Sequence, residues 1–470
     1  MRKVFIGVGL LAIFLTGCMM GPNYHRPSVQ TPDSFRAPTP VPSDPTSLAD
    51  LKWWEVFKDE QLQELERTAL VQNYDLRDAI AHVDAARANL GITRSNQFPN
   101  FGADGNVSTV RLSRDGETPL PPAFLPSQNV TFGTATLSLL SFELDIWGRL
   151  RRATEAARAN LLASEETRKA VVTTLVSDVA SAYLSLRTLD YQLEISERTL
   201  ATRRSSLELI KQRRVGGVAT RLDVRQGEQL VYTATETIPT LQQQIEQTEN
   251  QISLLLGKNP GEVKRGRSLT EQQLPDVPPG LPSALLERRP DIRAAEQNLI
   301  AANAQIGVAK AAYFPQISLS GFLGGQGQQL SSLFAGPSSI WNLTPQVTQP
   351  IFTAGRLKSN VKLTEAQQQS ALIQYEKTIQ TAFSEVSNAL IAHQRVRESR
   401  IQQELLVAAL QDRTQLAYVR YRGGVDTLLD ALDADRDLFQ AELDLSQIRL
   451  NELLSVVQLY KALGGGWQAQ

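Results

Sequence analysis

Tyr421-Arg-Gly-Gly-Val-Asp-Thr-Leu-Leu-Asp430-Ala-Leu-Asp433 has a twin 207 positions earlier, Arg214-Val-Gly-Gly-Val-Ala-Thr-Arg-Leu-Asp223-Val. Gly216, Gly217, Val218, Thr220, Leu222 and Asp223 recur as Gly423, Gly424, Val425, Thr427, Leu429 and Asp430. A glycine pair ends a helix because glycine accepts the positive φ of a C-terminal turn. A Thr-x-x-Asp box then opens the next helix. Each copy therefore predicts a tight helix-to-helix reversal.

The repeat extends outward from these turns. Gly148-Arg-Leu150 and Ser177-Asp-Val179 return as Gly355-Arg-Leu357 and Ser384-Glu-Val386 at the same offset. Further upstream, Asp75, Arg77, Gly91, Phe98 and Pro99 return as Asp291, Arg293, Gly307, Phe314 and Pro315, now 216 apart. The chain is an internal duplication, with about nine extra residues in the first copy between Pro99 and Gly148.

Apolar periodicity predicts a helix from Asp59 to Ser95 and a proline-free one from Gly148 to Arg213, roughly 100 Å long at 1.5 Å per residue. A return helix runs from Thr220 to Leu256, too short to reach the start of the long one. The simplest assembly stacks it end to end with the Asp59–Ser95 helix. The second copy repeats the set at 284–312, 356–421 and 427–460. Helices on this scale do not make a globular core. They predict an extended helical tube or coiled bundle. Between them lie two strand pairs, 101–110 with 131–140 and 317–323 with 340–348. Four strands cannot close a membrane barrel and open edges cannot face lipid, so in a membrane several chains must complete one barrel. The run Gly321-Phe-Leu-Gly-Gly-Gln-Gly327 reads as a flexible external loop.

The resulting organisation is 1–17 signal peptide, 18–58 proline-rich tether, 59–256 first repeat with a hairpin at 100–147, 257–283 linker, 284–460 second repeat with a hairpin at 316–353, and 461–470 tail. Residues 1–17 carry Arg2 and Lys3 before an apolar run too short to span a bilayer, as in a signal peptide. They lead into Leu15-Thr-Gly-Cys18, which resembles a lipobox and makes Cys18 the acylation site. Cys18 is the sole cysteine, so disulfides are absent.

The chain has 48 Lys and Arg against 49 Asp and Glu, a net charge of −1, which gives no reason to expect a nucleic-acid partner. His25, His82 and His393 lack ligand spacing. No phosphate loop or cysteine nucleophile is present, so neither an enzyme nor a metal site is expected. Asp426, Asp430, Asp433 and Asp437, spaced four, three and four, predict one acidic helix face.

The lipobox, Trp53-Trp54, Glu287-Arg-Arg-Pro-Asp-Ile-Arg293, Tyr313-Phe-Pro315 with Ser318-Leu-Ser-Gly321, and the Gly423-Gly424 turn together resemble the TolC-type outer membrane factors, most closely their OprM-like lipoprotein branch. The resemblance covers essentially the whole mature chain. It implies an α+β membrane protein: a homotrimer whose four strands per chain make a twelve-stranded transmembrane β-barrel, continued by a long periplasmic α-helical barrel. It also implies the outer membrane of a Gram-negative bacterium, and the role of exit duct in a tripartite efflux pump or a secretion system. The implied partners are a periplasmic adaptor (membrane fusion) protein and an inner-membrane pump of the RND type, and the only cofactor is the lipid on Cys18. By the same resemblance Asp430 and Asp433 form a periplasmic gate. Tyr421 and Asp223 lock neighbouring helices, and Asp426 stands where relatives can carry a basic lock residue. The adaptor docks at the tip formed by Val215, Gly216, Gly217, Arg422, Gly423 and Gly424. A non-conducting lipid-anchored spacer or adhesin is the alternative from another class.

Overall fold

The computed structural model describes residues 19–37, 47–111, 129–275, 277–278, 280 and 282–467. The signal segment and Cys18 lie outside the described residues. In chain order the helices and strands are α1 (Trp53–Val56), α2 (Glu60–Gln72), α3 (Tyr74–Ser95), β1 (Phe101–Arg111), β2 (Asn129–Glu143), α4 (Arg149–Val215), α5 (Arg221–Leu255), α6 (Leu285–Arg288), α7 (Pro290–Ala311), β3 (Gln316–Gly327), β4 (Ser339–Thr348), α8 (Arg356–Arg422) and α9 (Leu428–Ala462). The duplication is written into these bounds. Both ends of α4 and α5 return at 207 in α8 and α9, and both ends of α3 return at 216 in α7.

The helix expected over Asp59–Ser95 is broken at Asn73, whose backbone leaves the helical region at φ −58°, ψ 134°. Its side chain explains the break. Oδ1 accepts from the Leu76 amide at 2.9 Å, and Nδ2 donates at 2.9 Å to the carbonyl of Leu255, the last residue of α5. The helix expected over 284–312 breaks at the equivalent Arg289, which donates at 2.8 Å to the carbonyl of Ala462, the last residue of α9. Two unlike residues thus satisfy the same orphan helix carbonyl in each copy. The last helix runs to Ala462, two residues into the expected tail.

The chain divides into two compact units. The first comprises Met1–Pro27, Val83–Ala163 and Ala295–Tyr375. It contains one antiparallel sheet in the order β1-β2-β3-β4. Phe101 lies opposite Leu139, Leu139 opposite Gly321, and Ile317 opposite Val347, with a bulge in β2 between Leu139 and Phe142. Below the sheet, Ala156 and Ala159 of α4 pack on Ala301 and Ala304 of α7, where small side chains allow close helix approach.

The supposed tether is docked at its start. Met20 N–H donates to Trp147 O, and the buried Arg152 guanidinium donates to Met20 O, Gly21 O and Asn23 Oδ1. Gly21 has φ 87°, and a Cβ there would sit 2.5 Å from Gly307 Cα, so only glycine fits. Gly321–Gly327, expected as a loop, belongs to β3. A Cβ on Gly324 or Gly325 would strike the carbonyl oxygens of Ala135 and Leu333 at 2.1 and 1.7 Å, so these glycines serve close packing.

The second unit, Ser28–His82, Ser164–Ala294 and Glu376–Gln470, holds the main apolar core. Trp53, Leu62, Val179, Tyr183, Leu186, Ile252, Val456 and Leu459 are all buried in it. Its polar centre is Asp59, which caps α2 through the Gln61 and Leu62 amides. The same carboxylate accepts from Tyr183 Oη, Gln272 Nε2 and the Arg267 amide at 3.1, 2.8 and 3.0 Å. It ties the 257–283 linker to α4. Burial and the neighbouring Asp59 charge push the Tyr183 hydroxyl well up from its ordinary value.

Candidate functional site: the paired helix turns and the two-faced sheet

Two places in the chain carry features beyond packing: the Gly-Gly turns in the second unit and the strands in the first. At the turns, Gly217 and Gly424 take φ 76° and 72°, and each has open space where a Cβ would project. Thr220 and Asp223 form a complete capping box, the Asp223 carboxylate accepting from both the amide and the hydroxyl of Thr220 at 2.6 and 2.9 Å. Its twin departs from expectation. Thr427 Oγ1 caps the Asp430 amide and donates to the Asp430 carboxylate at 2.7 Å, without the reciprocal bond to the Thr427 amide.

The turns are brought together by Arg213. Its guanidinium lies 4.5 Å from the Tyr421 ring centroid, and Nη1 donates to Tyr421 O at 3.4 Å. Tyr421 is buried in a cluster with Leu207, Ile210, Val224, Val231, Leu428 and Leu432, drawn from α4, α5, α8 and α9. One step deeper sits a buried ion pair that periodicity alone did not reveal. Arg203 and Asp435 are 3% and 9% exposed, and Nε meets Oδ2 at 2.6 Å. Arg203 also donates to Leu230 O and lies 4.8 Å from the Phe439 ring.

The expected acidic face needs correction. α9 starts at Leu428, so Asp426 precedes the helix and turns back to Arg420, which it meets at 2.5 and 2.9 Å. That hydrogen bond holds the Asp426 carboxyl below the usual carboxylate range. Asp430, Asp433 and Asp437 remain on the helix. Arg436 bridges Asp433 and Asp437 at 3.0 and 3.2 Å, and Arg413 reaches Asp437 at 2.9 Å. Arg413, Arg420 and Arg436, all outside the stretch Tyr421–Asp433, supply this compensation. Val215, Val218, Val425 and Leu429 are exposed beside the glycines, as are Gly216, Arg422 and Gly423. Among the described residues no cluster of three or more His, Cys, Asp or Glu is placed to hold a metal ion.

The registers turn weak alternation into a clear result. One sheet face carries Phe101, Ala103 and Val107 of β1, Ala135, Leu137 and Leu139 of β2, Ile317, Leu319 and Leu323 of β3, and Trp341, Leu343 and Val347 of β4. The opposite face carries Asp104, Asn106, Ser138, Thr134, Ser320, Thr344 and Gln346. Hydrogen bonds run along it, Ser138 to Asp104 at 3.2 Å and Thr134 to Asn106 at 3.1 Å. The apolar side chains are not covered: Trp341 is 77% and Val107 74% exposed. Alternation of this kind, with the apolar set turned outward, matches strands that face lipid on one side and water on the other. Among the described residues no helix is long and apolar enough to cross a membrane.

The outer membrane efflux protein family model matches residues 65–258 and 281–465. The chain is 39% identical over 480 residues to the toluene efflux pump outer membrane protein TtgC of Pseudomonas putida, covering 100% of this chain and 97% of that one. It is 35% identical to the cation efflux system protein CusC of Escherichia coli over 97% of this chain and 98% of that one. Among solved structures, the open state of the Neisseria gonorrhoeae MtrE outer membrane channel superposes with a TM-score of 0.87 at 32% identity, over 96% and 99% of the two chains. The two-faced sheet, the duplicated long helices and these matches converge: the chain belongs to the outer membrane efflux protein family.

Proposed function

We propose that three copies of this chain form the outer membrane exit duct of a tripartite efflux pump. The observation that carries this reading is the continuous apolar face on a sheet whose β1 and β4 edges are open. A four-stranded sheet with bare edges is not viable in lipid, and closure with further copies removes the edges. Twelve strands from three copies fall within the range of membrane barrels. Exposed apolar side chains along α5 (Leu222, Tyr232, Leu254) and α8 (Ile401, Leu405, Leu416, Val419) support the same assembly, since a neighbour would cover them.

Transport is passive, with no catalytic step in this chain, and the driving partner is an inner-membrane pump of the RND type. The relatives' names span toluene, antibiotics and cations. Cargo here is accordingly assigned only as small molecules. The Gly-Gly turns dock the periplasmic adaptor, whose approach is favoured by bare glycine backbone and exposed valines. Cys18 carries the lipid anchor.

Symmetry would turn Asp430 and Asp433 into stacked carboxylate rings, partly compensated by Arg436, that give the entrance its cation preference. Single-channel recording in planar bilayers tests both levels. The wild type should conduct, prefer cations and be blocked by multivalent ions. Asp430→Ala with Asp433→Ala should weaken selectivity and block. A non-conducting wild type would overturn the duct. A double variant with unchanged selectivity would move the gate elsewhere.

A further inference from the structure

The duplication does more than repeat a hairpin. Within one chain it displays the contact that must recur between chains. β2 of the first copy pairs with β3 of the second, and the open edges of β4 and β1 are the equivalents of those two partners. We infer that β4 of one copy takes β1 of the next in an unbroken antiparallel ladder, with Val347 opposite Gly105. The inference rests on the ring closure proposed above and specifies its register.

The equivalence has to be corrected for the bulge. β2 carries one extra residue between Leu139 and Phe142, so it aligns with β4 at 207 below the bulge and 208 above it. The hairpins within the chain verify the correction. Phe101 faces Leu139, and the equivalent Ile317 faces Val347. Transferred to the open edges, Leu139 opposite Gly321 becomes Val347 opposite the next copy's Gly105. Below the bulge, Phe142 opposite Leu319 becomes Gln349 opposite the next copy's Ala103. Both halves give one register, so the contact between copies needs no bulge.

Two independent features agree with it. The first is backbone direction. Leu140 donates to Asn100 O across β1–β2, and Leu144 donates to Ile317 O across β2–β3. Backbone groups alternate in direction along a strand, so those of Phe101, Ala103 and Gly105, and of Val347 and Gln349, point to the open edges. The register pairs outward groups with outward groups. Pro345 also points outward and forfeits one ladder bond, as a proline facing an open edge does in any register. The second is the apolar face. The register sets Pro345 beside Val107 and Ile351 beside Phe101, with Thr344 beside Ser108 and Gln346 beside Asn106. A slip by one residue would turn the apolar sides of β4 and β1 to opposite faces of the sheet, setting Val347 beside Asn106 or Asp104.

The register also accounts for the most exposed adjacent apolar pair among the described residues. Ile351 and Phe352 are 96% and 89% exposed. In the first copy, the equivalent Leu144 donates at 2.8 Å to Ile317 O, and Trp147 stacks on Phe314 at 4.7 Å. The second copy has Ala354 in place of that tryptophan. Phe352, two residues earlier, supplies the ring that covers the next copy's Phe98, itself 56% exposed.

Thr344 and Ser108 form a pair not bridged by backbone hydrogen bonds, where Cα atoms lie roughly 4.5 Å apart, within disulfide reach. Thr344→Cys with Ser108→Cys, oxidised in outer membranes of cells making the full-length protein, should shift most of the protein to covalent dimer and trimer on non-reducing gels. Thr348→Cys with Asp104→Cys reports the same register should the first pair fail to assemble. Thr344→Cys with Asn106→Cys or Val110→Cys displaces the register by two residues and should crosslink far less. Stronger crosslinking of a displaced pair overturns the register while leaving ring closure intact. Absence of every crosslink in an oligomer of normal mass overturns edge pairing altogether. A monomeric mass in detergent overturns the trimer on which the inference rests.

Discussion

Removing the Asp435 carboxylate should loosen the helix tips far more than removing any exposed charge near them. The Arg203–Asp435 pair lies beside the cluster that holds α4, α5, α8 and α9 together, with only 3% and 9% of the side chains exposed. Arg203 is almost fully buried, and its Nη2 already lacks a hydrogen-bond partner. Asp435→Ala would leave a guanidinium in an apolar site, a change that costs about 3–5 kcal/mol. Replacing both partners, as in Arg203→Met with Asp435→Leu, is about neutral or stabilising by roughly 1–4 kcal/mol. Phe439→Leu removes only the ring beneath the guanidinium and should cost about 0.5–2 kcal/mol. Amide hydrogen exchange across 428–445 in the detergent-solubilised protein reads these differences locally. At about 1.4 kcal/mol per tenfold, Asp435→Ala should lower protection on the order of 10²–10³-fold, and the double replacement should restore it. A single variant protected like the wild type would mean that water reaches Arg203. A double variant as unprotected as the single would place the loss in packing rather than charge.

Glu66 is 2% exposed, and burial raises its carboxyl well above the ordinary value of 4.5, with Arg67 opposing. The native state therefore holds a proton that the unfolded chain releases, so stability is greatest below that ordinary value and falls as pH rises toward the native one. Glu66→Gln should flatten the slope in thermal unfolding followed across roughly pH 4–8, and an unchanged slope would remove Glu66 as its source. A Cβ at Gly217 or Gly424 meets no atom within 4 Å, so Gly217→Trp with Gly424→Trp should cost about 1–3 kcal/mol per site in backbone strain. Oligomer level should persist while drug susceptibility rises, and wild-type efflux would exclude docking at the turns. Cys18→Ala should abolish fatty-acid labelling yet leave assembled oligomer in the membrane, because Arg152 holds residues 20–23 independently; equal label would refute the lipobox.

Much of the fold was legible because duplication and turn chemistry are local signals. The Gly-Gly pairs, the Thr caps and the strand positions all follow from residues within a few places of one another. The break at Asn73 was not legible, because the asparagine is chosen by a carbonyl at Leu255, 182 positions away. Arg289 does the same job with a different side chain, so even comparison of the two copies hides it. The acidic motif misled for a related reason. Counting carboxylates at helical spacing finds Asp426, Asp430, Asp433 and Asp437, but neither the helix start at Leu428 nor Arg413 and Arg420 on the preceding helix. Asp59 marked only a helix start, because its other side-chain donors, Tyr183 and Gln272, lie 124 and 213 positions away.

Divergence between the copies is as informative as their likeness. α5 and α9 have the same length and turn, yet α5 buries nine residues and α9 eighteen, so the two helices do not occupy equivalent surroundings. Asp435 and Arg203 correspond to Glu228 and Leu410 in the opposite copies, so the buried pair exists once per chain. Leu429 is the only large hydrophobic that α9 exposes among the described residues, whereas α5 and α8 each keep an apolar stripe in solvent. The proposed ring of identical chains would require this asymmetry. Were both copies packed alike, the chain would either bury all its helices and have no adhesive edge, or leave all of them half covered and fall short of a stable core. Confining α9 to the interior of the chain and leaving α5 and α8 unsatisfied would, in the proposed ring, commit the free energy of assembly to contacts between chains. The open edges of β1 and β4 impose the same division on the sheet.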